Sequence, residues 1–529
     1  MTPSLSALAI RRARRARIIR RAFPLALGLA LGLAAATAAH GQAPRPAPRR
    51  DPAAEFDAYA ARAVRDWDVT GLAVAVVKDG RIVFARGYGV REIGKPAPVD
   101  TQTLFAIGST TKSMTAAALA LLVEEGKLRW DDPVVKHLPT FALGDPAVTR
   151  EITVRDLLTH RTGLPNTDLL WYETDAAPAE VLRRVRFARP AYSLRSSFIY
   201  QNVMYAAAGA VVEAASGMPW DRFVRQRLFA PAGMTRAVTS LAEANRQANV
   251  AAPHWRFGPA GRDTVRAIEN ASVDAVAPAG AVWASVADMA RWLVVVADSG
   301  RSATGAQVLA APSVAELLRP QQIVPSGEFY PSQRLTHPHW TTYGLGWFQQ
   351  DYAGRKLDFH TGSIDGMVAI AGIVADARFG VFVLANVDHA EVRHALLLRA
   401  VDTWLGTGTR DWSTELRTVY RGLAAQGDSA RRAAEARRVP GTRPSLALER
   451  YAGTYGDSLL GDVTVTHEHG ALLLRRGPRL VADLEPWHYD TFRATWRRRW
   501  QGADLVTFVL DARGEPAAVV LGGRELGRR

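Results

Sequence analysis

The order of apolar patterns along the chain predicts an α+β fold, a sandwich of helices against an antiparallel sheet, followed by a small all-β unit. Three observations carry this. A helical pattern and a β-hairpin pattern open the folded region, a long helical stretch fills the middle, and strand patterns return late, before a further helix. Early and late strands around a helical insertion belong in one sheet, which argues against a Rossmann arrangement.

Taken in order, Phe56, Tyr59, Ala60, Ala63, Val64 and Trp67 recur on one helical face. The run GLAVAVV (71–77), the turn Lys78-Asp79-Gly80 and the run RIVFARG (81–87) read as a hairpin, so helix and hairpin suggest a sheet covered on one side. Residues 109–300 are largely helical, and Ser285-Val286-Ala287-Asp288 has capping-box spacing before an apolar stretch. Strands are expected at YGLGWF from Tyr343, at 356–359, 367–374 and 379–385, with a closing helix at 391–404. A polar, arginine-rich helix follows at 411–438, then the linker VPGTRPS (439–445). Short strand patterns beginning at Tyr451, Asp462, Ala471, Phe492, Leu505 and Ala517 predict a small antiparallel barrel or sandwich. The domain reading is 1–41 signal peptide, 42–54 flexible lead-in, 55–405 main domain, 406–445 helical linker and 446–529 C-terminal β domain.

The first 41 residues carry seven arginines ahead of an apolar run, Ala22 to Ala39, that ends in the small-x-small pattern Ala39-His40-Gly41. That pattern predicts a cleaved export signal, with a loose twin-arginine match at Arg20-Arg21, delivery to the periplasm or outside, and no membrane span after processing. Its removal takes the formal charge from +15 to 15 − 7 = +8. With no basic tract interleaved with aromatics, nucleic acid is not an expected partner. The absence of cysteine excludes disulfides, thiol nucleophiles and a lipoprotein anchor. His337-Pro338-His339 lacks a third ligand and H-E-x-x-H spacing, so no metal or other cofactor is expected.

Of 66 basic residues only six are lysines, and one of them, Lys112, stands three residues after Ser109 at the start of an apolar helical run. Arginine cannot be deprotonated in a protein, whereas a lysine in apolar surroundings can lose its proton. At i and i+3 the two side chains share a helix face, and the free N–H groups of the helix start favour charge developing on an attacked carbonyl. A capping serine beside a snorkelling lysine is the alternative. Tyr200 and Asn202 precede a second small-residue helix, and at i and i+2 in extended backbone they face one side. A tyrosine beside a cationic lysine has its phenolate favoured and can pass protons; a core tyrosine is the alternative. In LDFHTGSIDGM (357–367), His360 and Thr361 are polar on an inner strand, Gly362 admits close approach, and Ser363 offers an N–H to pair with that of Ser109. Lys356 reads as surface.

Ser109-Thr110-Thr111-Lys112, Tyr200-Gln201-Asn202 and His360-Thr361-Gly362, in this order, resemble the motifs of the serine beta-lactamase and penicillin-binding superfamily, on its class C, DD-peptidase and esterase branch. Ala85-Arg86-Gly87-Tyr88-Gly89, His160-Arg161-Thr162-Gly163-Leu164-Pro165 and Tyr343-Gly344-Leu345-Gly346-Trp347 agree with it. The resemblance implies a beta-lactamase/transpeptidase-like domain with Ser109 as acylated nucleophile and Lys112 and Tyr200 handling the proton. It implies Asn202 as an orienting hydrogen-bonder, His360, Thr361 and Gly362 along the substrate, and an oxyanion hole from the Ser109 and Ser363 N–H groups. His360 stands where many members have lysine. A neutral ring attracts a carboxylate weakly, which favours small esters or peptides, including D-residue or cell-wall peptides, over beta-lactams. Beta-lactamase or DD-carboxypeptidase action, and a non-catalytic cell-wall peptide binder, stay open. YAGTYGD (451–457) and LEPWHYDTFRATW (484–496) are similar to an appended lipocalin-like domain. That domain could shape the entrance, mediate self-association or hold a ligand at Trp487, His488 and Tyr489.

Overall fold

The computed structural model describes residues 51–258 and 264–529; the expected signal segment and most of the lead-in lie outside them. Helix α1 (Pro52–Asp66) begins within the stretch read as lead-in, because Asp51 accepts from the Ala53 N–H and Pro52 sits at the first helical position, where its missing N–H costs nothing. The hairpin β1 (Gly71–Lys78) and β2 (Arg81–Gly89) follows. Helix α2 (Lys112–Glu124) is apolar nearly all round and is buried accordingly. Helix α3 (Val203–Ser216) ends at Gly217, in the left-handed region. Helix α4 (Val286–Ala297) starts in the expected capping box: the Asp288 N–H donates to Ser285 Oγ (3.1 Å) and the Ser285 N–H to Asp288 Oδ2 (3.4 Å).

Six strands then return: β3 (Gln322–Ile323), β4 (Thr341–Tyr343), β5 (Phe348–Tyr352), β6 (Arg355–Ile364), β7 (Met367–Val374) and β8 (Phe379–Ala385). With β1 and β2 they form one antiparallel sheet in the order β2-β1-β8-β7-β6-β5-β4-β3. The YGLGWF strand expectation is corrected here. Tyr343 pairs with Phe348, and the residues between them turn the chain, with Gly346 at φ +87°. The one-sided sheet is also corrected. Ala73, Ala75 and Val77 pack toward α2 and α4, while Leu72, Val74 and Val76 pack toward α1 and α5 (Val392–Leu405). Both faces are covered, which is why GLAVAVV is a continuous apolar run and not an alternation.

Helix α6 (Trp412–Glu435) leads to a closed antiparallel barrel of eight strands. These are β9 (Gly453–Asp457), β10 (Gly461–Glu468), β11 (Ala471–Arg476), β12 (Leu480–His488), β13 (Thr491–Trp496), β14 (Ala503–Leu510), β15 (Pro516–Leu521) and β16 (Arg524–Arg528). The sequence pattern missed β12 as a strand because Pro486 and a bulge interrupt its alternation, and missed β16 because it is short and polar. The barrel's apolar interior is continuous with that of the helical layer. Among the described residues no helix is long and apolar enough to cross a membrane.

Candidate active site

Ser109 lies in a 3₁₀ turn, Gly108–Thr111, that runs directly into α2. Two glycines let this turn meet the end of β6. Gly108 sits at φ +52°, and a Cβ on it would come within 2.7 Å of the Ser363 nitrogen. A Cβ on Gly362 would fall 1.9 Å from Ile107 O and 3.1 Å from the Ser109 nitrogen. Only bare backbone at both positions lets the Ser109 turn and the Gly362–Ser363 end of β6 come this close.

Lys112, 0% exposed, occupies the centre of the cluster. Its Nζ lies 3.0 Å from Ser109 Oγ, 2.7 Å from Asn202 Oδ1 and 2.9 Å from Ala279 O. Burial pushes its pKa well below the usual lysine value, with Asp168 opposing. Two of the three partners can only accept. In its neutral form the amine would give its two N–H groups to Asn202 and Ala279 and turn its lone pair to the Ser109 hydroxyl. That is the geometry of a general base on a serine nucleophile.

The Asn202 amide is not free to flip, since its Nδ2 donates to both Asp168 carboxylate oxygens (3.0 and 3.1 Å). Tyr200 places its ring centroid 4.7 Å from Lys112 Nζ. Its hydroxyl is buried and makes no hydrogen bond of good geometry among the described residues, although Ser109 is the neighbour that most favours its ionised form. Burial dominates and drives its pKa well above 10. Lys112 meets the ring face, and Tyr200 is a phenol at neutral pH, so the phenolate that a neighbouring lysine can favour is not its resting form.

His360 is also corrected. It is 1% exposed, its Nδ1–H donates to Thr361 O (2.6 Å), and its Nε2 accepts from the Tyr343 hydroxyl (3.0 Å). Burial first, then the nearby Lys112 charge, lowers its pKa to about 3. With both ring nitrogens engaged it packs beside the Tyr200 and Tyr343 rings and has none left for a substrate. Thr361 Oγ1 is 2.6 Å from the Tyr330 hydroxyl, so Tyr330 belongs to the cluster. Ser363 is exposed beside Gly362. Arg393 ties down this end of β6 by donating to Gly362 O (2.7 Å) and Ser363 Oγ (3.1 Å).

Asp168, Ala279 O, Tyr330 and Arg393 were not found from sequence. Ala279 acts through its backbone and leaves no side-chain signature. Asp168 follows Asn166-Thr167 in what reads as an ordinary polar turn, and its reach to Asn202 is visible only in three dimensions. Lys356, expected at the surface, is half-buried and paired with the buried Asp358 (2.9 Å). His339 pairs with Asp351 (2.7 Å), and no cluster suited to a metal occurs among the described residues. Trp487 is packed between the guanidinium groups of Arg438 and Arg493, while Tyr489 stands exposed at a turn.

A family model described as beta-lactamase matches residues 56–402, and a domain of unknown function, DUF3471, matches 437–525. The chain is 28% identical over 431 residues to the unguisins hydrolase ungD of Aspergillus violaceofuscus, spanning 76% of this chain and 74% of that one. It is 30% identical over 320 residues to penicillin-binding protein 4 of Amycolatopsis lactamdurans, spanning 60% and 81%. Among solved structures, the octameric penicillin-binding protein homologue from Pyrococcus abyssi superposes with a TM-score of 0.57 at 21% identity, covering 89% of this chain and 94% of its own. SurE superposes with a TM-score of 0.53 at 24% identity, covering 90% and 99%. With a hydroxyl, a buried amine and two amides assembled where the three motifs meet, and a family match over most of the chain, the protein belongs to the beta-lactamase family of serine hydrolases.

Proposed function

We propose that the protein is an exported serine hydrolase that cleaves small esters or peptides, including peptides with a D-residue, through a covalent acyl-enzyme. One observation carries the reading: the Lys112 amine, enclosed by two pure acceptors, faces the Ser109 hydroxyl, the partly exposed member of the pair. Ser109 Oγ attacks the carbonyl carbon as its proton passes to Lys112 Nζ. The oxyanion is held by the Ser109 and Ser363 N–H groups. The leaving alcohol or amine takes up that proton from Lys112 through Tyr200; a water then attacks the acyl carbon as its proton passes to Lys112, and Ser109 Oγ leaves with the proton returned from Lys112.

The substrate ranking rests on His360. A neutral ring with both nitrogens engaged gives a substrate carboxylate no fixed cation, and the Arg393 charge beyond it is offset by Glu391 at 3.2 Å. Esters and peptides therefore rank ahead of beta-lactams. The relatives named as unguisins hydrolases support hydrolytic turnover, and the SurE structure with D-Leu brings D-residues into the panel. Export is supported by the arginine-rich, apolar start of the sequence.

Intact-mass measurement after a fluorophosphonate or a penicillin tests the chemistry. One covalent adduct is expected in the native enzyme and none in Ser109→Ala; turnover without an adduct at Ser109 would refute the mechanism. A comparison of kcat/KM for p-nitrophenyl esters, D-alanyl peptides and nitrocefin tests the ranking. A tenfold preference for nitrocefin, about 1.4 kcal/mol of transition-state stabilisation, would reverse it.

A further inference from the structure

The loop that carries Asp168 is gripped from two sides. On the catalytic side, Gln201, between Tyr200 and Asn202, accepts from Thr167 Oγ1 (3.1 Å) and donates to Leu164 O (2.9 Å). The Trp171 indole N–H donates to Asp168 Oδ1 (2.9 Å), and Asn166 Nδ2 donates to Oδ2 (3.2 Å). On the other side stands the barrel. Arg476, the last residue of β11, is 4% exposed and donates through Nη2 to Leu169 O, the carbonyl of the residue next to Asp168. A Cβ on Gly522, in the β15–β16 turn, would lie 3.8 Å from the Leu169 side chain. Further along, Arg498 pairs with the buried Glu173 (2.6 Å), while Trp500 Nε1 and the Tyr172 hydroxyl both donate to Asp365 Oδ2 (2.9 and 2.7 Å).

We propose that Asp168 is a positioning residue for the catalytic lysine, acting through Asn202, and that the C-terminal barrel sets its position through Arg476 on Leu169. The chain of contacts is continuous: Arg476 to Leu169, Asp168 to Asn202 Nδ2, Asn202 Oδ1 to Lys112, Lys112 to Ser109. By occupying the nitrogen end of the Asn202 amide, the Asp168 carboxylate obliges the oxygen end to face Lys112. An amide turned the other way would place N–H donors against the amine and divert its lone pair from Ser109. The barrel is then part of the catalytic apparatus without touching substrate. This rests on the acyl-enzyme reading above.

The charged and titratable groups that act on or pack against Lys112 are Asp168, Tyr200, Tyr205, His160 and His360. Of these Asp168 is the negative charge that favours the protonated amine, so its removal lowers the pKa of Lys112 further. The test is the pH profile of kcat/KM for a p-nitrophenyl ester in full-length Asp168→Asn, Asp168→Ala, Arg476→Ala and Arg476→Lys, with Arg497→Ala on the barrel surface as control. Asp168→Ala should lose at least tenfold in kcat with KM within twofold. In both Asp168 variants the acid limb, which follows deprotonation of Lys112, should move to lower pH by half a unit or more. Arg476→Ala should lose threefold or more in kcat, Arg476→Lys should recover most of that, and Arg497→Ala should match the native enzyme. An unshifted acid limb with native kcat in the Asp168 variants, while Ser109-dependent acylation persists, would overturn this inference alone. Loss in Arg476→Ala that Arg476→Lys does not recover would overturn the barrel's part. Turnover that survives Ser109→Ala would overturn the underlying mechanism and this inference with it.

Discussion

His360 shows how one side chain can carry two kinds of information. In the sequence it marked a departure from a fixed cation; in the structure it is a buried neutral ring in the aromatic cluster, tilted or edge-on to Tyr200, Tyr343 and Phe348. Its folded pKa, about 3, lies below the unfolded value of roughly 6.5. As pH falls through that window the unfolded chain takes up a proton that the native state refuses. The stabilisation is complete above about 6.5 and is lost progressively toward about 3, by up to about 1.4 kcal/mol per pH unit. His360→Gln removes this proton uptake. Urea unfolding between pH 3 and 8 should show native stability falling more steeply with acid than that of the variant, even though the variant is the less stable at pH 8. Parallel curves would mean that the ring is protonated in the fold.

At the scale of an element, the approach of the Ser109 turn to the end of β6 decides whether the two amides can act together. Gly362 is the pivot, because any side chain there meets the Ile107 carbonyl before the strand can settle. Gly362→Ala should push β6 outward, at about 1–3 kcal/mol of stability for the overpacking. Displacing one donor from the oxyanion should lower kcat by about 10²–10³-fold. Thermal unfolding together with kcat for an ester substrate checks both halves. A variant that keeps its activity would show that the Ser363 amide is not an oxyanion donor.

For the molecule as a whole, the barrel is joined to the catalytic domain by more than the linker helix α6. The apolar interiors are continuous, and Arg498 reaches from the barrel to Glu173, whose carboxyl is buried and raised in pKa chiefly by that burial. Arg498→Ala would remove the ion pair of that carboxylate and leave it the more distant Arg479 charge. Breaking a buried pair from one side costs about 3–5 kcal/mol, less here to the extent that Glu173 takes up a proton. The expected result is a lower Tm and faster proteolytic cleavage within residues 165–175, measured by calorimetry and limited digestion. An unchanged Tm would make Arg498 a surface contact only.

What the sequence determined by itself was local or periodic. Period 2 against period 3.6 separated strands from helices, Ser285 and Asp288 announced a helix start, and the scarcity of lysine singled out Lys112. The contact of Lys112 with Ser109 at i, i+3, and the approach of both Tyr200 and Asn202 to Lys112, rest on backbone geometry within a few residues. The tertiary structure decided what depends on distant neighbours. The second covered face of the sheet came from α5 and α1 packing where the hairpin alone implied one face. The phenol state of Tyr200 and the engagement of both His360 nitrogens came from burial among aromatic rings drawn from separate segments of the chain. Asp168 reaches Asn202 across 34 residues of chain, and Arg476 reaches Leu169 across 307, separations at which spacing in the sequence says nothing about contact. Desolvation and long-range contact are properties of the packed whole, and here they hold Tyr200 as a phenol and fix the orientation of Asn202 against Lys112.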